Sequence, residues 1–250
     1  MDPQFYKEYY ELERSSWWFK ARLNILEALV LKHTYKNQSL KILNVGVATG
    51  ATSEMLAKYG EVTSVEYDKD CCIFLKEKTG IEAICASLTE LPFKDNSYDL
   101  VCAFDVIEHI EDDKLAVEEI YRVLKPNGNY FLTVPAFQFL WSNHDVVNHH
   151  FRRYTKSGFN QLFIDAGLKI NYSTFFNFWL FFPIALTRFI LNLFPKKNTE
   201  SSGSDNDIVA TDGLINKILY AIFISEKALL KFGIKLPIGV SIISLGSKPQ

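Results

Sequence analysis

The sequence predicts an α/β fold, a Rossmann-like sheet with helices on both faces, and three observations carry that prediction. Short apolar runs of strand length alternate with segments of helical spacing along most of the chain. The first run (Ile42, Leu43, Val45) ends in a loop of small residues, Gly46-x-Ala48-x-Gly50, followed at once by a helix-like segment, Thr52 to Tyr59. The second run, Val62 to Val65, ends on a carboxylate, Glu66. Strand, tight loop and helix form a turn that holds a nucleotide. Residues without bulk let the ligand lie against the backbone, and the helix N-terminus offers unpaired N–H groups. A carboxylate closing the second strand can accept both hydroxyls of a ribose.

The totals bound the rest. The chain has 250 residues, room for one large domain or one domain with an insertion, and a formal net charge of −2 with 22% charged residues. Without a basic excess, no nucleic-acid partner is expected. Cys71, Cys72, Cys85 and Cys102 show no C-x-x-C spacing and read as reduced thiols of a cytoplasmic protein. The opening MDPQFYKEYYELE has no basic stretch leading into an apolar core, so no signal peptide is expected.

Residues 5 to 33 read as an aromatic helical segment. Tyr6, Tyr9, Tyr10, Trp17, Trp18 and Phe19 precede Leu23, Ile25, Leu26, Leu29 and Val30 at helical spacing. It either packs its apolar stripe on the sheet or forms a lid over a bound cofactor or acceptor. Asp68 is placed to cap a helix reaching Thr79. Strand three is expected at Ile81 to Ala86 and strand four at Asp99 to Phe104, the latter nearly all apolar, as a strand buried on both faces should be. The acids Glu111, Asp112 and Asp113 suit the first turn of the next helix. Leu124 to Gly128 reads as a turn before strand five, Tyr130 to Val134. Thr155 caps a helix stopped by Gly167, and strand six follows at Leu168 to Thr174.

The spacing of these parts resembles the class I S-adenosylmethionine-dependent methyltransferases, most of all the branch with the ubiquinone and menaquinone methyltransferases (type 11). The resemblance rests on the Gly46–Gly50 loop, Glu66, the Leu91-Pro-Phe…Tyr98-Asp99 string, Glu108-His109 and the Lys125-Pro-Asn-Gly turn, in order. It covers Leu40 to Gly167 and the last ten residues. A Trp17-Trp-Phe-x-x-Arg22 string and a Trp141…His144-Asp145…His150-x-x-Arg153-Tyr154-Thr155 stretch are similar to a bacterial subgroup, with His149 where that subgroup has Gly. The departures are Asn44 for an acid, Ala48 for the middle glycine and Ser87 for an adenine-contacting acid.

The resemblance implies a seven-stranded methyltransferase sheet and S-adenosylmethionine as cofactor, bound by Gly46, Ala48, Gly50, Glu66, Tyr67, Ser87, Leu88 and Phe104. Domain limits follow: 1–39 as the N-terminal aromatic segment, 40–174 plus 238–250 as the cofactor-binding domain, and 175–237 as a hydrophobic helical insertion between strands six and seven. The insertion holds Phe175 to Phe194, a mobile linker at 196–212, and a second helix, Leu214 to Phe232. In that helix Glu226 shares the face of Ile215, Leu219, Ile222, Leu229 and Leu230, with Arg188 or Arg153 as partners. Arg188 near the middle of the aromatic stretch argues against a membrane span and for a lid or an in-plane surface helix, peripheral at the membrane inner face.

The loop after strand five is chemically the densest. His150 is the candidate general base for an acceptor hydroxyl, oriented or tuned by Asp145, with Asp145 and His109 as the lesser candidates. Trp18, Trp141, His144, Arg153 and Tyr154 are the candidate acceptor contacts, Arg153 through a carboxylate or phosphate. The cluster could instead form salt bridges that stiffen the loop. Its spacing matches no metal signature, and no metal is expected. The functions implied are methyl transfer to a small or lipid-like acceptor, oxygen first, or, alternatively, an inactive methyltransferase-fold module binding a membrane surface or protein partner.

Overall fold

The computed structural model describes residues 3–33, 39–193 and 213–250. Seven strands form one sheet: β1 (Leu40–Val45), β2 (Gly60–Glu66), β3 (Ala83–Cys85), β4 (Tyr98–Phe104), β5 (Leu124–Pro135), β6 (Lys169–Phe176) and β7 (Ser241–Ser247). Their order is β3-β2-β1-β4-β5-β7-β6. β1 to β5 run parallel, and β7 lies antiparallel between β5 and β6. The order reverses at β1, so the crevice lies outside the carboxyl ends of β1 and β4, beside that of β2.

Alternation along the strands sends side chains to two cores. Leu43, Val45, Val101, Ala103, Tyr130, Leu132 and Val134 face one side and pack with α5 (Asp113–Val123) and α7 (Lys156–Asp165). Ile42, Leu100, Cys102, Phe104 and Phe131 face the other, with α2 (Trp17–His33), α3 (Ala51–Leu56) and a late helix, α9 (Leu214–Lys231). Helices on both faces are thus the observed architecture. Ile25, Leu26 and Leu29 of α2 are fully buried, each contributing ~1.5–3 kcal/mol.

The expected N-terminal helix is two helices. α1 (Pro3–Ser15) stops where the Ser16 hydroxyl accepts the Trp18 N–H and starts α2 afresh. Only α2 lies on the sheet. α1 crosses the loop after β1: Glu13 accepts the Thr49 hydroxyl, and Arg14 bonds the Thr49 carbonyl at 3.2 Å and pairs with Glu54. The caps expected at Asp68, on α4 (Lys69–Thr79), and at Thr155 are present, and Asp112, expected only as an acid of the first turn, caps α5. The turn expected at Leu124 to Gly128 is part of β5, with Asn127 left-handed at φ 62°.

β6 extends to Phe176, so the stretch expected to be helical from Phe175 begins as strand, and α8 spans Phe181–Leu193. The linker at 196–212 lies outside the described residues. Among the described residues no helix is long and apolar enough to cross a membrane. Glu226 is fully buried as its helical phase suggested, but Ile215 on the assigned face is exposed. Its carboxylate accepts the Phe178 and Trp179 N–H groups at 2.7 and 3.1 Å rather than the arginines expected. Burial pushes Glu226 up to about 7 against the pull of those N–H groups.

Candidate active site

The loop after β1 is held in the conformation its small residues allow. Gly46 (φ 66°), Ala48 (φ 45°) and Gly50 (φ 95°) are all left-handed. A Cβ on Gly46 would meet Val106 Cγ2 at 2.4 Å, and one on Gly50 would meet Leu75 Cδ1 at 2.7 Å. Ala48 therefore keeps the backbone that a glycine would adopt more easily, at ~1–2 kcal/mol. Its amide donates to Glu66 Oε2 at 2.9 Å, and the Tyr67 and Asp68 amides donate to Oε1 at 2.8 and 3.2 Å. The carboxylate at the end of β2 is thus tied to the loop at the end of β1. Tyr67 is 77% exposed beside it, while Leu88 and Phe104 are buried. Ser87 bonds Thr89. Asn44 is buried and donates to Thr52 and Ser53, so the residue standing for an acid fastens α3 to β1.

Beyond β4 the chain turns at Asp105 (φ 56°) into a short helix, Ile107–His109. Asp105 accepts Arg22 Nη2 at 2.7 Å and the Thr133 hydroxyl at 2.8 Å. Arg22 of the aromatic string thereby binds α2 to the ends of β4 and β5, and Trp18 stacks on Phe223 of α9 with centroids 6.4 Å apart. Neither Arg22 nor Asp105 was selected from the sequence, although the Trp-Trp-Phe-x-x-Arg string contained the signal for Arg22.

The loop after β5 brings the proposed catalytic trio together. His150 Nδ1 lies 2.8 Å from Asp145 Oδ1, and the His109 ring meets His150 edge to face at 4.5 Å. Asp145 is fully buried, in α6 (Asn143–Val147). Its burial works against ionisation, but His150, Arg153 and the Ser142 amide hold its carboxyl well below the usual carboxylate range. His149, in the place of a glycine, is left-handed at φ 55°. Crowding by protein atoms and the neighbouring His150 lower His109 to about 4, although its outer edge is exposed. Glu108 has no exposed surface, and burial and Asp105 raise it well above the carboxylate range.

The candidate acceptor contacts divide. Arg153 is buried and turns its guanidinium to Asp145 (Nε–Oδ1 2.7 Å, Nη2–Oδ2 3.0 Å) and the Ala136 carbonyl, not to the crevice. Tyr154 is buried, its hydroxyl on Asp113 at 2.9 Å. Both therefore hold the loop, as Arg152 does through Asp113. Trp141 and His144 stay partly exposed, the His144 ring 6.1 Å from His150.

A reversing parallel sheet with an antiparallel β7, a small-residue loop bonded to a carboxylate at the end of β2, and a loaded loop after β5 define a class I methyltransferase fold. Residues 43–132 match the methyltransferase domain family. A Mycobacterium tuberculosis protein named "Probable S-adenosylmethionine-dependent methyltransferase" is 28% identical over 161 residues, 63% of this chain and 57% of that protein. The demethylmenaquinone methyltransferase of Staphylococcus aureus is 33% identical over 107 residues, 40% of this chain and 44% of that protein. The chain thus spans about half the length of these curated relatives. Phosphoethanolamine N-methyltransferase 2 of Haemonchus contortus, solved with S-adenosyl-L-methionine, shares the fold at a TM-score of 0.58 and 17% identity, over 90% of this chain and 52% of that one.

Proposed function

We propose that the chain transfers a methyl group from S-adenosylmethionine to the oxygen of a lipid-like acceptor. The observation that carries this reading is the bond between Glu66 and the Ala48 amide: it joins the carboxylate proposed to bind the ribose to a loop whose Gly46 and Gly50 have no room for a side chain. Three donors leave that carboxylate lone pairs for ribose hydroxyls. Gly46 to Gly50 would hold the methionine portion, with Tyr67, Ser87 and Leu88 around the adenine. When bound, the cofactor supplies a methyl group on a sulfonium, a good leaving group, so positioning provides much of the rate.

The chain's own task is then to orient the acceptor and take its proton. His150 is the proposed base, with the proton accepted at Nε2. Nδ1 is held by Asp145, which fixes the tautomer and stabilises the imidazolium, and Arg153 anchors Asp145 in turn. Arg153 and Tyr154 act as positioning residues, and His109, Trp18, Trp141 and His144 are the groups proposed to meet the acceptor.

An exposed apolar strip supports a lipid-like acceptor and a peripheral contact with the inner face of a membrane. Phe182, Leu186 and Phe189 of α8 and Phe139 of the loop are each 60% or more exposed. α8 is fastened to that loop by Arg188 on the Leu140 carbonyl. This reading treats α8 and α9 as an insertion between β6 and β7 of the domain at 40–174 and 238–250, with α9 folded back onto the sheet and onto α2 of the N-terminal segment at 1–39. The relative named a demethylmenaquinone methyltransferase points the same way.

The test is incubation with methyl-labelled S-adenosylmethionine and a prenylated hydroquinone or phenol in detergent. Label extracted into the lipid phase, and lost in His150→Ala, supports the reading. Label entering only water-soluble acceptors overturns the lipid part, and no transfer to any acceptor leaves the inactive-module alternative.

A further inference from the structure

We propose that Glu108, His109 and His150 form a binding site for one divalent first-row metal ion at the carboxyl end of β4. A ligand atom of each lies within 4.8 Å of the others. The carboxylate and one imidazole come from the turn after β4, the second imidazole from the loop after β5. His150 lies 42 residues after Glu108 and 41 after His109, which is why no spacing signature announced them.

Three features distinguish this cluster from a chance meeting of polar groups. First, Glu108 is wholly buried, and neither carboxylate oxygen has a hydrogen-bond partner among the described residues. A buried carboxylate without partners is costly, and coordination of a cation relieves it. Second, the neighbouring charges are already matched: Arg153 with Asp145, Arg22 with Asp105. Glu108 is the carboxylate left over. Third, each imidazole has one nitrogen engaged from outside. His150 Nδ1 is held by Asp145 at 2.8 Å, and the Asn148 carbonyl accepts from the His109 ring. That outer support is how metal-binding histidines are oriented, leaving the other nitrogen for the ion.

Around a tetrahedral ion with ligand bonds of ~2.0–2.2 Å, donor atoms stand about 3.3 Å apart, which small side-chain rotations reach from the observed spread. Two nitrogens and one carboxylate oxygen suit zinc, cobalt, iron or manganese rather than calcium. Three protein ligands leave a position open, and the exposed edge of His109 gives the ion a way in. The ion would lie in the crevice where the acceptor is expected. On the methyl-transfer reading, an acceptor hydroxyl bound to it would lose its proton to water more readily, and His150 would serve as ligand in place of base. That consequence rests on the proposed function; the site itself does not.

The experiment uses the full chain with Cys72→Ser and Cys85→Ser as background, so that thiols do not compete. Zinc and cobalt are titrated calorimetrically, and the cobalt complex is followed by its visible absorption. The expected result is one ion per chain with tetrahedral or five-coordinate cobalt bands. Binding should weaken roughly tenfold or more in Glu108→Gln and in His109→Asn. His109 is exposed, so its variant keeps the test sound if Glu108→Gln perturbs folding, which circular dichroism reports. No binding, or binding unchanged in both variants, overturns the proposal. Because no S-adenosylmethionine is present, the outcome is independent of methyl transfer.

Discussion

Replacing Arg153 with leucine separates the two roles that its position near the crevice allows. Asp145 is fully buried, and Arg153 is 8% exposed. Two contacts of 2.7 and 3.0 Å join them. Leucine would leave the Asp145 charge buried with only His150 and Ser142 against it. Breaking a buried pair from one side costs ~3–5 kcal/mol. In a chain of this size each kcal/mol moves Tm by ~2–4 °C, so the melting temperature should fall by about 6–20 °C. Asp145→Asn on the same background removes the stranded charge, and the double variant should recover at least half of the loss. The pH dependence has a definite sign. The Asp145 carboxyl is held below its unfolded value, so its contribution is complete above an unfolded pKa of ~3.9 and fades as pH falls through the lower folded value. The deficit of Arg153→Leu should therefore be full at neutral pH and shrink in acid. Urea denaturation at several pH values measures it. A single variant within about 1 kcal/mol of the parent would refute the anchoring role and return Arg153 to the acceptor.

Three further outcomes follow from the same geometry. Glu226 is raised to about 7, so the folded state holds a proton that the unfolded chain releases, and stability should fall as pH rises from about 4.5 to 7. Glu226→Gln should flatten that slope and raise stability at pH 8 by ~1–3 kcal/mol, read from melting curves across pH. Gly46→Ala must place a methyl group 2.4 Å from Val106 Cγ2 at φ 66°, and should lose ~2–5 kcal/mol by denaturant titration. Ala48→Gly relieves a left-handed alanine at φ 45° and should gain about 0.5–1 kcal/mol in the same assay, after allowing for glycine's freedom in the unfolded chain.

The first two strands were legible because each ends in a residue whose type carries meaning: Gly46 after β1 and Glu66 at the end of β2. Caps at Asp68 and Thr155 are local, and local chemistry reads directly from a sequence. The break at Ser16 was not legible, since the aromatic periodicity runs through it, and the Ser16 hydroxyl that accepts the Trp18 N–H is a local cap within that pattern. Glu226 illustrates a different limit. Helical phase placed it inside, but its partners are backbone N–H groups forty-eight and forty-seven residues earlier, which no pattern of side chains encodes. The loop after β5 was recognised as dense in chemistry, and the proximity of His150 and Asp145 was foreseen. Arg153 was assigned outward because a sequence cannot tell which of several charges folds under the others. The same reason hid Arg22 with Asp105, eighty-three residues apart.

The central claim is that Glu66 and the Gly46–Gly50 loop bind S-adenosylmethionine. It is tested most directly by isothermal titration of the purified chain with S-adenosylmethionine and with its demethylated product, beside Glu66→Ala. The account predicts micromolar binding of both ligands to the parent chain and no detectable binding to a folded Glu66→Ala. Failure of the parent chain to bind either ligand, or equal binding to the variant, would contradict it.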